Sequence, residues 1–194
     1  DDQPIQIRIT QIAEDGKEIA VAYTMTVPRN ATPGDHAGGI VAVNAQAEGV
    51  QESDGVTVGI KRAVGTRIYT RIAGPLNPSL SVTDVTVDTL EKAQIPFLQQ
   101  GKATISYTVV NTGNTRISAD QALIVTGLFG QTLYQPTLAK APEILPGETI
   151  TLVQPWDSVP AFNQASVRVE FQATDVSGQE VTAAGNATVW YIPW

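Results

Sequence analysis

The sequence predicts an all-β protein, and three observations carry that prediction. Apolar residues recur at period two in one segment after another, the spacing of half-buried strands. Clusters of Gly, Pro, Asn and Asp separate these segments at short intervals, as turns do. No capped window of about eleven residues sustains the three-four apolar spacing of an amphipathic helix.

Taken in order, Ile5, Ile7 and Ile9 alternate with Gln6, Arg8 and Thr10, which predicts a strand over 5–12. Glu14-Asp15-Gly16-Lys17 reads as a hairpin turn, because Asp-Gly tolerates the positive φ such turns need. Ile19, Val21, Tyr23, Met25 and Val27 form the next alternation, which Pro28 ends. Pro33-Gly34-Asp35-His36 reads as a sharp loop, and Ile40, Val41 and Val43 start a strand near 40–46. The stretch from Val27 to Val43 is therefore expected to be a hairpin. Residues 46–55 are polar and contain glycine, and predict an exposed loop. Val56, Val58 and Ile60 begin a strand, Gly65-Thr66 is expected to interrupt it, and Arg67 to Ile72 continues the pairing. Gly74-Pro75-Leu76-Asn77-Pro78 marks a domain boundary, since prolines donate no hydrogen bond to a ladder.

The second half continues in the same way. Val82, Val85 and Val87 lie among Thr and Asp over 80–87, and 103–110 is rich in Ile, Tyr, Thr and Val. Asn111-Thr112-Gly113-Asn114 is a turn, 122–128 a strand, 143–148 a turn around Pro146-Gly147, and 149–153 a strand. Residues 167–173 and 188–192 complete the set, separated by a turn at Ser177-Gly178-Gln179, while 90–100 has room for one helical turn limited by Pro96. About seven short strands between turn signals is the pattern of an immunoglobulin-like sandwich. The chain is thus expected to hold two tandem immunoglobulin-like β-sandwich domains, 1–74 and 75–194. The first has too few strands for two sheets, so it is expected to be incomplete, its missing strands lying upstream of Asp1 or supplied by another chain.

Composition narrows the function. The 194 residues carry 19 acids against 12 Lys and Arg, a net charge of −7, which argues against nucleic acid and anionic membranes as partners. Cysteine is absent, which removes disulfides, thiolate zinc sites and cysteine nucleophiles and suits an exported bacterial protein. Charged residues are only 16%, as on a β surface made polar by amides and hydroxyls. No apolar run is long enough for a membrane helix. The only methionine is Met25, so Asp1 is not expected to be a natural start.

No constellation for catalysis is visible. His36 is the only histidine, beside Asp35, and as a general base it would need a second group within reach. Asp35 is expected to hydrogen-bond a local loop backbone, with His36 capping the turn. No metal cluster, calcium loop or Gly-x-Ser-x-Gly motif appears, so no cofactor and no enzyme activity are expected. Lys61, Arg62, Arg67 and Arg71 fall in a stretch without acids, the one local reversal of sign. On a strand Arg67, Tyr69 and Arg71 share a face, where guanidinium groups beside an aromatic ring could grip carboxylates and stack on sugar or peptide. The alternative is a solvated face paired with acids on a neighbouring strand. Near the C-terminus, Trp190 reads as part of the last strand, and Trp194 stays open between strand and membrane interface. Lys102 and Asn186 lie on expected core strands, where an isopeptide crosslink is conceivable in a Cys-free exported sandwich.

Val27-Pro28, Pro33-Gly34-Asp35-His36, Gly38-Gly39-Ile40 and Arg67-Ile68-Tyr69, in this order and spacing, resemble the peptidoglycan-binding domain of the WxL-interacting protein family of Gram-positive bacteria. The likeness covers about residues 5–74 and looks like the second half of that domain. Residues 80–192 resemble the immunoglobulin-like host-binding domain that follows it, chiefly through Val109-Val110-Asn111-Thr112-Gly113-Asn114-Thr115. The resemblance implies an extracellular, cell-surface protein, anchored by a transmembrane helix expected downstream, that contacts peptidoglycan or other surface or host proteins. A non-catalytic binding module is the expected function, with Arg67, Tyr69, Arg71, Asp35 and His36 as contact residues. A structural spacer or assembly scaffold is the alternative.

Overall fold

The computed structural model describes residues 5–12, 18–43, 48–53, 56–60, 63–91, 100–160, 163–175 and 178–191. It is all-β, with no helix among the described residues and none long and apolar enough to cross a membrane. Two compact units form, Asp1–Pro33 and Gly34–Trp194.

In the first unit β1 (Ile5–Ile12) pairs antiparallel with β2 (Glu18–Met25), Ile5 opposite Met25 and Ile12 opposite Glu18. The expected turn at 14–17 lies outside the described residues. Pro28 then ends the extended run, and the Ala31 N–H donates to the Pro28 carbonyl at 3.0 Å.

The second unit opens with β3 (Gly34–Val43), whose partner is β6 (Ala63–Ile72), from Gly34 opposite Ile72 to Val43 opposite Ala63. Between them β4 (Glu48–Ser53) pairs with β5 (Val56–Ile60). Three expectations are corrected here. Gly34, Asp35 and His36 begin a strand instead of forming a loop, and that strand pairs with β6, so 27–43 is not a hairpin. Residues 48–53, read as a loop for their polarity, form β4. And β6 runs unbroken through Gly65-Thr66, because Gly65 keeps an ordinary backbone conformation and weakens a strand without ending it.

The rest of the unit is a β-sandwich. One sheet orders β11 (Thr149–Val159), β8 (Gly101–Asn111) and β7 (Leu80–Glu91). The other orders β10 (Thr132–Tyr134), β9 (Asp120–Gly127), β12 (Asn163–Thr174) and β13 (Glu180–Tyr191). The two sheets share one core. Ala103, Ile105, Tyr107 and Val109 point inward at every second position of β8 and are essentially inaccessible, as are Leu123, Val125, Val167, Val169 and Phe171 from the facing sheet. The Tyr107 and Phe171 rings meet edge to face across the core at 6.1 Å, and Tyr134 stacks on the fully buried Trp156 at 5.9 Å. In β7, Asp84 at φ 51° sits in a register shift between Thr83 and Thr86, which restores Val85 and Val87 to the side from which Val82 packs on the core. A Cβ at Gly185 would lie 2.6 Å from Val82, so glycine there lets β13 and β7 approach.

The register fixes which loops share a pole. Leu80 is opposite Asn111, so β7 begins where β8 ends, and Gln172 opposite Asp120 places the end of β12 at the start of β9. At the other pole Ala165 lies opposite both Gly127 and Val189, and Asn163 opposite Tyr191. The first strand of the sandwich thus begins at one pole and the last, β13, ends at the other, about 40 Å away for a strand of twelve residues.

Candidate functional site

Three of the residues singled out from the sequence, Asp35, Tyr69 and Arg71, gather at the entry pole, where the β3–β6 ribbon meets the sandwich. Antiparallel register puts Asp35 opposite Arg71 and Ala37 opposite Tyr69, on the same face of the ribbon. Arg71 and Asp35 form a bidentate pair, Nε to Oδ1 and Nη2 to Oδ2, both 2.6 Å. Asp35 Oδ2 also accepts the backbone N–H of Arg116 at 2.9 Å, from the loop between β8 and β9. Asp35 therefore does bind loop backbone, but a loop 81 residues away and not its own turn.

Arg116 and Glu143 complete the cluster. The Arg116 guanidinium lies over the Tyr69 ring, 4.4 Å from its centre, and its Nη1 is 3.5 Å from Glu143 Oε1. The Tyr69 hydroxyl donates to Glu143 Oε2 at 2.9 Å. Arg116 and Glu143 come from two loops that Asn111 ties together. Fully buried, Asn111 donates through Nδ2 to the carbonyls of Thr115 (2.7 Å) and Ile144 (2.9 Å) and accepts the Gly113 N–H at Oδ1 (3.0 Å). Ile117 and Ile144 then exchange backbone hydrogen bonds, which sets Arg116 beside Glu143.

The entering chain is locked into the same loop. Asp35 N–H donates to the Asn114 carbonyl at 2.8 Å, and Asn114 Oδ1 accepts the Asn77 N–H at 2.7 Å. Asn114 Nδ2 donates to the Pro75 carbonyl, and the N–H groups of Thr112 and Gly113 both reach the Ser79 carbonyl. The segment 74–78, read from the sequence as a domain boundary, is held at Pro75 and Asn77 by these bonds. Gly34, at φ +122°, faces Asn114 so closely that a Cβ would stand 2.2 Å from its carbonyl oxygen.

The electrostatics follow from these contacts. Arg71 beside Asp35 holds the carboxyl below its ordinary range, against the opposing effect of burial and with help from the Arg116 N–H. Asp35 in turn raises Arg71, and Tyr69 raises the exposed Arg67. Chemically the arrangement is a set of internal pairs. For Arg71 to grip an outside carboxylate it would have to release Asp35.

The other candidates fall elsewhere. His36, exposed and opposite Thr70, alternates to the far face of the ribbon from Asp35. Lys61 and Arg62 lie outside the described residues, as do Trp194 and Ser177. Lys102 is half exposed on β8 and paired with Glu91 at 3.1 Å, while Asn186 is exposed opposite Arg168 on the other sheet, so the isopeptide idea has no geometry to support it. No group of three or more His, Asp or Glu that could hold a metal occurs among the described residues. Sequence reasoning missed Arg116 and Glu143. The one available signal was an arginine directly after the Asn111–Thr115 turn, with no acid beside it in sequence.

No family model matches the sequence, and no curated protein matches it. Among solved structures the chain is similar to an X-ray structure of a Northeast Structural Genomics Consortium target, at 14% identity and a TM-score of 0.46, over 59% of this chain and 87% of that one. It is also similar to the crystal structure of a Bordetella pertussis protein described as ApaA, at 17% identity and a TM-score of 0.46, over 61% of this chain and 96% of that one.

Proposed function

We propose that the chain is a non-catalytic module of an extracellular surface protein, and that it acts as a rigid spacer or assembly scaffold. In this reading the sandwich is an immunoglobulin-like module that carries the β3–β6 ribbon at one pole and sends the chain out at the other. The observation that carries it is the docking of Gly34, Asp35, Tyr69 and Arg71 onto the Asn111–Arg116 loop and Glu143. A hinge would leave these backbone groups to water, whereas a spacer needs them fixed.

A second reading, contact with peptidoglycan or a partner surface protein, rests on Arg67 and Tyr69. Both are exposed on one face of β6, Tyr69 at 39%, and a sugar ring could stack there without breaking the Arg71 pair. The absence of cysteine makes both readings testable by site-directed spin labels on introduced cysteine pairs, one on β6 and one on β12. The spacer predicts a narrow distance distribution and no retention on purified peptidoglycan. A broad distribution overturns it, and retention lost in Tyr69→Ala favours the binding reading.

A further inference from the structure

We infer that the exit pole of the sandwich, at Leu128, Phe129 and Trp190, docks on the interfacial layer of a lipid bilayer. Leu128 and Phe129 form the tip of the turn between β9 and β10, 49% and 89% exposed, and Trp190 on β13 is 58% exposed. These residues share one end of one sheet, because Ala165 stands opposite both Gly127 and Val189. The tip is braced. Gly127 N–H donates to the Gln131 carbonyl at 2.8 Å, Gly130 N–H to the Gly127 carbonyl at 2.9 Å, and Phe129 N–H to Gln131 Oε1 at 3.1 Å. A fixed backbone thus presents Phe129 outward.

The surroundings suit a bilayer interface. No Asp, Glu, Lys or Arg occurs between Asp120 and Lys140, and none from Val181 to Trp194. Among the described residues, the charges at this pole are Glu91 and Lys102, paired with each other, and Asp157 on β11, all on the other sheet, while Arg168 and Glu170, also paired with each other, lie further along β12. Tryptophan and phenylalanine without nearby charge are what partition into the headgroup region. With a net charge of −7, attraction to anionic lipid is not the driving force, so insertion is apolar.

The area argues against a folded protein or a second copy as the occupant. Full side chains of this kind offer about 200 Å² each, so the exposed fractions amount to about 400 Å². A stable protein interface needs about 800 Å² on each partner. A bilayer, unlike a folded partner, requires no complementary shape to receive an exposed turn tip. This inference stands independently of the spacer reading.

The test uses the full chain with neutral phosphatidylcholine vesicles and an environment-sensitive dye on Thr132→Cys. The expected result is co-sedimentation with the vesicles and a blue-shifted dye, both insensitive to added salt. Phe129→Ser with Trp190→Ser should weaken retention by roughly tenfold or more. Phe129→Ser alone, at an exposed tip, should show part of that loss with unchanged melting. Failure of the wild-type chain to bind vesicles overturns the proposal, as does equal retention of the double variant. Self-association without lipid that these substitutions abolish also overturns it and assigns the pole to a second copy.

Discussion

Arg71 holds Asp35 by both ends of its guanidinium fork, at 2.6 Å each, and Asp35 passes the contact on to the Arg116 N–H across the junction. The Asp35 side chain is 7% exposed and Arg71 33%, so the pair is shielded more than a surface bridge. Asp35→Ala leaves a guanidinium and an N–H without their acceptor and should cost about 2 kcal/mol. Arg71→Ala should cost less, because Asp35 keeps the Arg116 N–H. The double variant should fall short of the sum by about 1 kcal/mol, since the two residues share one interaction. Urea unfolding of the four proteins measures this, and strict additivity would show that the pair does not couple.

The same pair sets a pH dependence. The folded Asp35 carboxyl titrates below its ordinary value, with Arg71 as the main cause. A group depressed in this way stabilises the fold above the unfolded value, near 3.9, and loses that contribution as pH falls through the folded value. Stability from this source should be level from neutrality down to about pH 5 and decline below it. Asp35→Asn should flatten part of that acid decline in thermal melts. An identical acid slope in the variant would place the linkage on other carboxylates.

The junction also depends on missing side chains. A Cβ at Gly34 would stand 2.2 Å from the Asn114 carbonyl oxygen, and one at Gly113 would stand 2.4 Å from that of Asn77. Both obstacles are backbone and cannot rotate away. Gly34→Ala, which also meets an unfavourable φ, should cost about 3 kcal/mol, and Gly113→Ala about 2 kcal/mol. Gly38, on the same ribbon with nothing within 4 Å of its Cβ position, is the control, and Gly38→Ala should be neutral or slightly stabilising. Equal effects at Gly34 and Gly38 would mean that the close approach does not exist in solution.

These contacts explain what is and is not legible in the sequence. The all-β class was legible because β8 alternates inward and outward at every residue, which sequence records directly as Ala103, Ile105, Tyr107 and Val109. Polar β4 and three-residue β10 carry no such alternation, so pairing with a neighbour decides them. Glycine-rich β3 looked like a loop because its unusual φ is confined to Gly34, while Gly38 and Gly39 sit in ordinary extended backbone. Tyr69 and Arg71 are legible through charge pattern and period, and Asp35 through its Pro-Gly-Asp-His stretch. Their partners are not, because Glu143 is 74 residues from Tyr69, and Arg116 reaches Asp35 through its backbone, which leaves no mark in sequence.

Asn111 is the point at which the junction can be dismantled from inside. It is fully buried and binds two carbonyls and one N–H with a single amide. Asn111→Ala strands those three groups away from water and should cost about 4 kcal/mol. Asn111→Asp is the more telling variant. Its carboxylate keeps the acceptor for the Gly113 N–H but turns an oxygen toward the Thr115 and Ile144 carbonyls, where the amide had donated. At neutral pH it should be at least as destabilising as alanine, because charge and burial both oppose the site. Burial and the two carbonyls raise the folded carboxyl above its unfolded value, so protonation restores one donor and recovers stability as pH falls through that raised value. The difference in unfolding free energy between Asn111→Asp and Asn111→Ala should therefore shift in favour of Asp between pH 7 and pH 5, a range where the wild-type junction does not change. A difference independent of pH would mean that residue 111 faces solvent and does not hold the two loops together.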